Sequence, residues 1–261
     1  MSLLSLRELT IGFGGIAAVT DVEMTIERNS LIGLIGPNGA GKTTIFNLIT
    51  GVYKPDTGRI LFEKEKGHSV SLVGMRPHQV TAQGIARTFQ NIRLFKDMTV
   101  LDNVRIAMHK DIGYGVFGAL FHLGAFGAEE RRLVREAKEL LDVFQLGGKQ
   151  NELAKNLPYG EQRLLEIVRA LATKPRLLLL DEPAAGMNPA ETAALADTIG
   201  RIRKDFDLTV LLIEHDMSLV MKICEMIYVL DYGYIIAYGT PDEVKNDPKV
   251  IEAYLGEESV V

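Results

Sequence analysis

An α/β architecture is predicted, with a mostly parallel central sheet, an N-terminal antiparallel β layer and an inserted helical subdomain. Three observations predict it. The runs Leu31–Ile35, Leu177–Leu180 and Val210–Ile213 are short and apolar, with only Gly33 interrupting them. That is the pattern of strands covered on both faces. Each run is followed at once by Gly, Asp, Glu or His, and ligands in open α/β sheets sit beyond the carboxyl ends of the strands. Between the first two runs, residues 85–160 are mostly helical in pattern and interrupt the sheet.

Composition agrees with a folded domain. The 261 residues are 47% apolar and 24% charged, near the globular average. Disordered, collagen-like and disulfide-rich classes are thereby excluded. Lys plus Arg number 29 against 34 Asp plus Glu, a net charge of −5. That balance argues against a nucleic-acid coat, though not against a local basic site for a small phosphorylated ligand. The single cysteine, Cys224, cannot close an intrachain disulfide and fits a reducing compartment. The start, MSLLSLRELTIGFG, lacks a basic region followed by an apolar core, so no signal peptide is read. No apolar stretch approaches the ~18 residues of a membrane span.

In chain order, Leu3–Ile11, Val22–Ile26 and Arg59–Phe62 read as strands of the antiparallel layer, and Thr44–Thr50 as a helical segment ended by Gly51. The Lys/Glu-rich Glu63–Gly67 reads as a solvated hairpin. Within the apolar insertion at 111–128, the stretch 113–127 suits a contact surface, a lipid-adjacent loop or a buried loop. Glu129–Phe144 places Leu133, Ala137, Leu140, Leu141 and Phe144 on one helical face. Glu161–Ala172 does so with Leu164, Leu165, Val168, Leu171 and Ala172, and Glu191–Phe206 with Leu195, Ile199, Ile202 and Phe206. Asn188-Pro189 reads as an N-cap followed by proline at the first helical position. The expected division is a catalytic core over about 1–84 and 173–235, a helical subdomain over about 85–172, and a C-terminal helical tail over about 240–261.

The chemistry is carried by a few segments. Gly36-Pro37-Asn38-Gly39-Ala40-Gly41-Lys42-Thr43 fits G-x-x-x-x-G-K-[ST], lies between a strand and a helix, and is continued by Thr44. Its glycines let successive N–H groups line an anion nest at a helix N-terminus. Lys42 can reach the β- and γ-phosphates, and the Thr43 hydroxyl can ligate Mg²⁺. The pattern predicts a P-loop NTPase core, with ATP and Mg²⁺ as its expected ligands. Asp181-Glu182 ends a buried strand with two carboxylates, one suited to the metal and the other to polarising a water. His215, at the tip of the third run, suits a hydrogen bond to the γ-phosphate or a structural role. Gln90 can touch both Mg²⁺ and water, and Phe13 suits stacking on an adenine ring or a place in the core.

The order phosphate loop, Gln90, Leu157-Pro158-Tyr159-Gly160-Glu161-Gln162, Asp181-Glu182, His215 resembles the ATP-binding-cassette ATPases over nearly the whole chain. The resemblance implies that Gln90 is the Q-loop glutamine, Glu182 the catalytic base, His215 the switch histidine and Phe13 the adenine-stacking aromatic. It implies metal contacts from Thr43, Gln90 and Asp181. Residues 157–161 match the signature that contacts the γ-phosphate bound to an opposing cassette. The run Gly84–Val100 and the insertion at 111–128 are similar to the ATPase subunits of branched-chain amino acid importers; amide or urea importers share much of this pattern. The implied partners are a second cassette, two integral membrane permease subunits and, indirectly, a substrate-binding protein, but no nucleic acid. The implied location is cytoplasmic, peripheral on the inner face of the cell membrane.

The signature departs from its usual form. Pro158 stands for serine, removing a hydroxyl and a backbone N–H; Tyr159 stands for glycine, Glu161 for glutamine. Asn188 stands where aspartate is frequent. A weakened signature side points to a second, different cassette in the pair. Two rivals are a soluble cassette not coupled to transport and a nucleotide-binding scaffold with little turnover. Only about 145 positions separate Gly36 from Asp181, without sustained heptads, which disfavours a chromosome-type relative.

Overall fold

The computed structural model describes residues 2–64, 67–108 and 123–258. They form two compact units, Met1–Arg87 with Arg176–Val261, and Thr88–Pro175.

In the first unit, β1 (Ser2–Phe13), β2 (Ile16–Glu27), β4 (Thr57–Glu63) and β5 (Ser69–Ser71) make an antiparallel sheet in the order β2-β1-β4-β5. The strands run past the expected limits, and β5 is additional. Phe13 pairs with Ile16 across Gly14-Gly15, both at positive φ, so the two glycines permit a two-residue turn. The strand reaches Glu63 and pairs back through Glu63 and Ser69, as the hairpin reading requires.

The second sheet contains β3 (Leu31–Ile35), β6 (Ile85–Arg87), β7 (Leu177–Asp181), β8 (Thr209–Ile213), β9 (Met226–Asp231) and β10 (Tyr234–Gly239). Its order is β10-β9-β3-β8-β7-β6, and only the β9–β10 pair is antiparallel. Three of these strands, β6, β9 and β10, were not expected. Ile85–Arg87 falls in the span expected to be helical, yet it pairs with Leu177–Leu179 at the sheet edge; three residues carry too little periodicity to betray a strand. The expected class holds: a mostly parallel sheet, an antiparallel layer and a helical insertion.

Helix α1 (Lys42–Ile49) packs in one core with both sheets: Ile45 and Phe46 cluster with Leu4 and Phe62 of the antiparallel sheet and with Leu34, Leu179 and Leu211 of the other. Successive strand residues point to opposite faces. Leu178, Leu180, Val210 and Leu212 lie outside this cluster yet are wholly buried. That two-sided burial is why the runs are continuously apolar. The unit also holds α2 (Pro77–Ala82), α6 (Pro189–Asp205), α7 (Met217–Ile223), α8 (Pro241–Lys245) and α9 (Pro248–Glu258). Asn188 caps α6: its Oδ1 accepts from the Ala190 and Glu191 amides at 3.0 Å, and Glu191 returns the bond. Leu195, Ile199 and Ile202 are buried as expected, but Phe206 at the helix end stands exposed.

The helical unit holds α3 (Val100–Met108), α4 (Leu123–Val143) and α5 (Tyr159–Leu171). All five expected core residues from Leu133 to Phe144 are buried. In α5, by contrast, Leu164 is only half-buried, while Arg163 and Glu166 are buried. Most of the apolar insertion at 111–128 lies outside the described residues. Among the described residues no helix is long and apolar enough to cross a membrane.

Candidate active site

The sheet order brings three strand tips together. β3, β8 and β7 are neighbours, and Leu34 pairs with Ile213, which pairs with Asp181. The segments leaving these tips carry the phosphate loop, Glu214-His215 and Glu182.

The loop from Gly36 to Gly41 enters α1 with Gly41 as N-cap at φ 107, without a side-chain cap and without an acidic residue in the first turn. The positive end of the helix therefore faces no acidic side chain of its own first turn, which suits an anion there. Gly36 has φ 147, and a Cβ there would lie 1.9 Å from the Leu230 carbonyl oxygen. A Cβ on Gly41 would come within 2.5 Å of the Ala18 oxygen. The β9–β10 turn supports the loop, since the Gly233 amide donates to the Ala40 carbonyl at 2.9 Å. Lys42 is buried, and its ammonium donates to the Gly36 and Pro37 carbonyls, both at 2.7 Å. A concave loop with uncapped amides and a lysine threaded through it suits a polyphosphate. Gly36→Ala should therefore shift the loop, lower stability by roughly 2–3 kcal/mol and abolish nucleotide-dependent thermal stabilisation; an unchanged nucleotide shift in the melting curve would contradict this geometry.

Asp181 is buried at the end of β7, and its Oδ2 accepts from Arg87 Nη2 at 2.6 Å. Arg87 Nη1 also donates to Asn47 Oδ1 of α1 at 2.7 Å. The arginine thus ties the carboxylate to the helix that begins beside Thr43. This residue was not anticipated; its only sequence signal is a charge at the end of a short apolar run. Glu182 sits at φ 46, its amide donates to the Ile213 carbonyl, and its Oε1 lies 2.6 Å from His215 Nε2. With Glu182 ionised the carboxylate can only accept, so Nε2 donates. Phe13, half-exposed, meets the Tyr53 ring edge-on at 5.1 Å; Tyr53 too was not anticipated.

Gln90 belongs to the helical unit, where its side chain is exposed and its carbonyl accepts from Arg163 Nη2. In the same unit Pro158 precedes α5 as an N-cap without a side-chain bond, Tyr159 is exposed, and Glu161 is held by Lys149 at 2.6 Å.

The sequence profile of the family described as ABC transporter matches residues 19–185. The chain belongs to this family. A second profile, branched-chain amino acid ATP-binding cassette transporter, matches residues 235–260, from β10 to the end of α9. The chain is 44% identical over 255 residues to the high-affinity branched-chain amino acid transport ATP-binding protein BraF of Pseudomonas aeruginosa, covering 98% of both chains. It shares the same identity and coverage with the protein of that description, LivG, from Escherichia coli K12. A solved ABC transporter cassette in its ADP conformation superimposes with a TM-score of 0.83 at 32% identity, covering 98% of this chain and 99% of that one. As a member of this family the chain is an ATPase cassette.

Proposed function

We propose that the chain is the ATP-hydrolysing subunit of a membrane importer for branched-chain or related hydrophobic amino acids. The observation that carries it is the convergence at neighbouring strand tips of a lysine-threaded phosphate loop, a buried aspartate and a Glu182–His215 pair. The cargo class rests on the relatives that match the chain end to end.

The loop Gly36–Gly41 and the amides of Lys42, Thr43 and Thr44 at the helix start cradle the phosphates, the Ala40 amide holding the loop's shape through its bond to the Pro37 carbonyl, and Lys42 balances their charge. Phe13 stacks on adenine. Thr43 and Asp181 would supply hard oxygen donors suited to Mg²⁺, which would neutralise phosphate charge when bound. Glu182 orients a water and accepts its proton, while His215 fixes the carboxylate and reaches the terminal phosphoryl group.

The partners are a second cassette and two permease subunits, with an external substrate-binding protein acting through them, and the chain works on the cytoplasmic face of the membrane. Pro158 brings neither hydroxyl nor N–H to the signature, which favours a different chain as the second cassette. Purification of the tagged chain from native membranes is expected to yield two hydrophobic subunits and a sister cassette, with ATPase stimulated by branched-chain amino acids and their binding protein. Recovery without membrane subunits would overturn the transport reading.

A further inference from the structure

Glu214 lies immediately before His215 and has no part in the roles assigned above. It is 3% exposed. Both its oxygens are engaged by backbone donors: Oε1 accepts from Ala184 N at 2.7 Å, and Oε2 from His215 N at 2.9 Å and Asp216 N at 3.2 Å. Burial pushes its carboxyl above the ordinary glutamate value, with three backbone donors pulling the other way.

A buried carboxylate is costly, and an apolar residue of that size would fill the space more cheaply. β7 and β8 need no such help, since they pair directly from Leu177–Thr209 to Asp181–Ile213. What Glu214 adds lies beyond the ladder. Ala184 is two residues after Glu182, on the segment leading to the Asn188 cap. His215 and Asp216 open the segment after β8, and Asp216 caps α7 through the Ser218 amide. One side chain therefore bridges the two segments that bear the partners of the Glu182–His215 hydrogen bond. Glu182 occupies the left-handed region, at φ 46, where a residue stays only if its surroundings hold it. The bond from Ala184 to Glu214 provides that restraint on one side of Glu182, and its own amide bond to Ile213 provides it on the other.

We propose that Glu214 is a positioning residue, a carboxylate clamp that holds Glu182 and His215 in mutual register for the terminal phosphoryl group. Its oxygens are filled by amides, so it takes no proton from water itself; it acts through the two side chains that its backbone bonds align. The inference rests on the ATPase reading. It also implies that movement of the segment from Ala184 to Asn188 is felt directly at His215.

Glu214→Gln keeps the shape but turns one oxygen into an NH₂ that faces amide donors. In the full-length chain, assembled with its partner cassette, kcat for ATP is expected to fall by about 10–100-fold, as misplacement of about 1 Å costs in catalysis. KM and the affinity for ATP should stay within about threefold, because the amides that Glu214 holds belong to Ala184, His215 and Asp216, outside the phosphate loop. The ¹⁵N resonance of His215 Nε2 should move toward that of an imidazole without a carboxylate partner, and Glu182→Ala should move it likewise. Unchanged kcat and an unchanged His215 resonance would overturn the clamp, as would a lowered melting temperature with both preserved. If Glu214→Gln does not fold, Glu214→Asp, which keeps the charge but shortens the reach, is measured in the same way. Should the wild-type chain hydrolyse no ATP, the ATPase reading falls, while the His215 resonance still decides whether Glu214 sets the pair.

Discussion

Glu182→Gln is expected to lower ATP turnover by about 10²–10⁴-fold, the usual contribution of a positioned general base. The amide is isosteric with the carboxylate and still accepts from His215 Nε2 through its remaining oxygen, so the 2.6 Å contact has a neutral substitute. The phosphate loop is built from other residues, with Lys42 donating to the Gly36 and Pro37 carbonyls. Nucleotide affinity should therefore hold while hydrolysis stops, and the ATP-bound pair of cassettes should dissociate more slowly. Single-turnover phosphate release and size-exclusion chromatography in ATP measure the two effects. A variant that turns over like the wild type would remove Glu182 from the chemistry and favour the scaffold reading.

Glu166→Ala is expected to destabilise the helical unit by about 3–5 kcal/mol, the cost of leaving a buried charge without its partner. Arg163 and Glu166 are each 2% exposed and pair at 3.2 Å on α5. Arg163 reaches the Phe89 carbonyl at 2.7 Å and the Gln90 carbonyl, while Glu166 Oε1 accepts from the Arg93 amide at 3.2 Å. The pair thus grips the backbone on both sides of Gln90 from α5. Urea denaturation, with hydrogen exchange across residues 88–175, measures the loss. The double substitution Arg163→Met with Glu166→Leu should recover most of the stability, because no charge is left unpaired, yet leave the Gln90 segment fast-exchanging; a double variant as unstable as the single one would contradict this account.

The same glutamate gives a pH dependence. Burial raises its carboxyl above the ordinary 4.5, outweighing the attraction of Arg163. The folded chain then holds the proton more tightly than the unfolded one. That contribution to stability is fully present below 4.5 and is lost as pH rises through the raised value. Relative to Glu166→Gln, which cannot titrate, the wild type should gain stability as pH falls from neutrality toward 4.5, read as the difference between their urea midpoints.

Much of this architecture was legible in one dimension because its causes are local. A phosphate loop needs its glycines, lysine and threonine at contiguous positions between a strand and a helix, so spacing alone announces it. Two-sided burial requires unbroken apolar runs, which made β3, β7 and β8 visible, and the stripe from Leu133 to Phe144 follows from the helical repeat. Asn188-Pro189-Ala190-Glu191 is a cap written in four successive residues. The failures have equally plain causes. β6 is three residues long, and α5 buries Arg163 and Glu166 where an apolar face was read, because a salt bridge satisfied by backbone carbonyls can replace a leucine.

The chain order alone therefore determined which chemical groups stand at the neighbouring strand tips: the anion loop, two carboxylates and a histidine. Folding decided which of them touch. Arg87 meets Asp181 across 94 intervening steps of sequence, and Ala184 meets Glu214 across 30; Phe13 meets Tyr53 only because two strands and a helix return to the same edge. Such contacts depend on how separate strands align, and strand alignment is settled by packing both faces of a sheet at once, a condition that no short stretch of residues can state by itself.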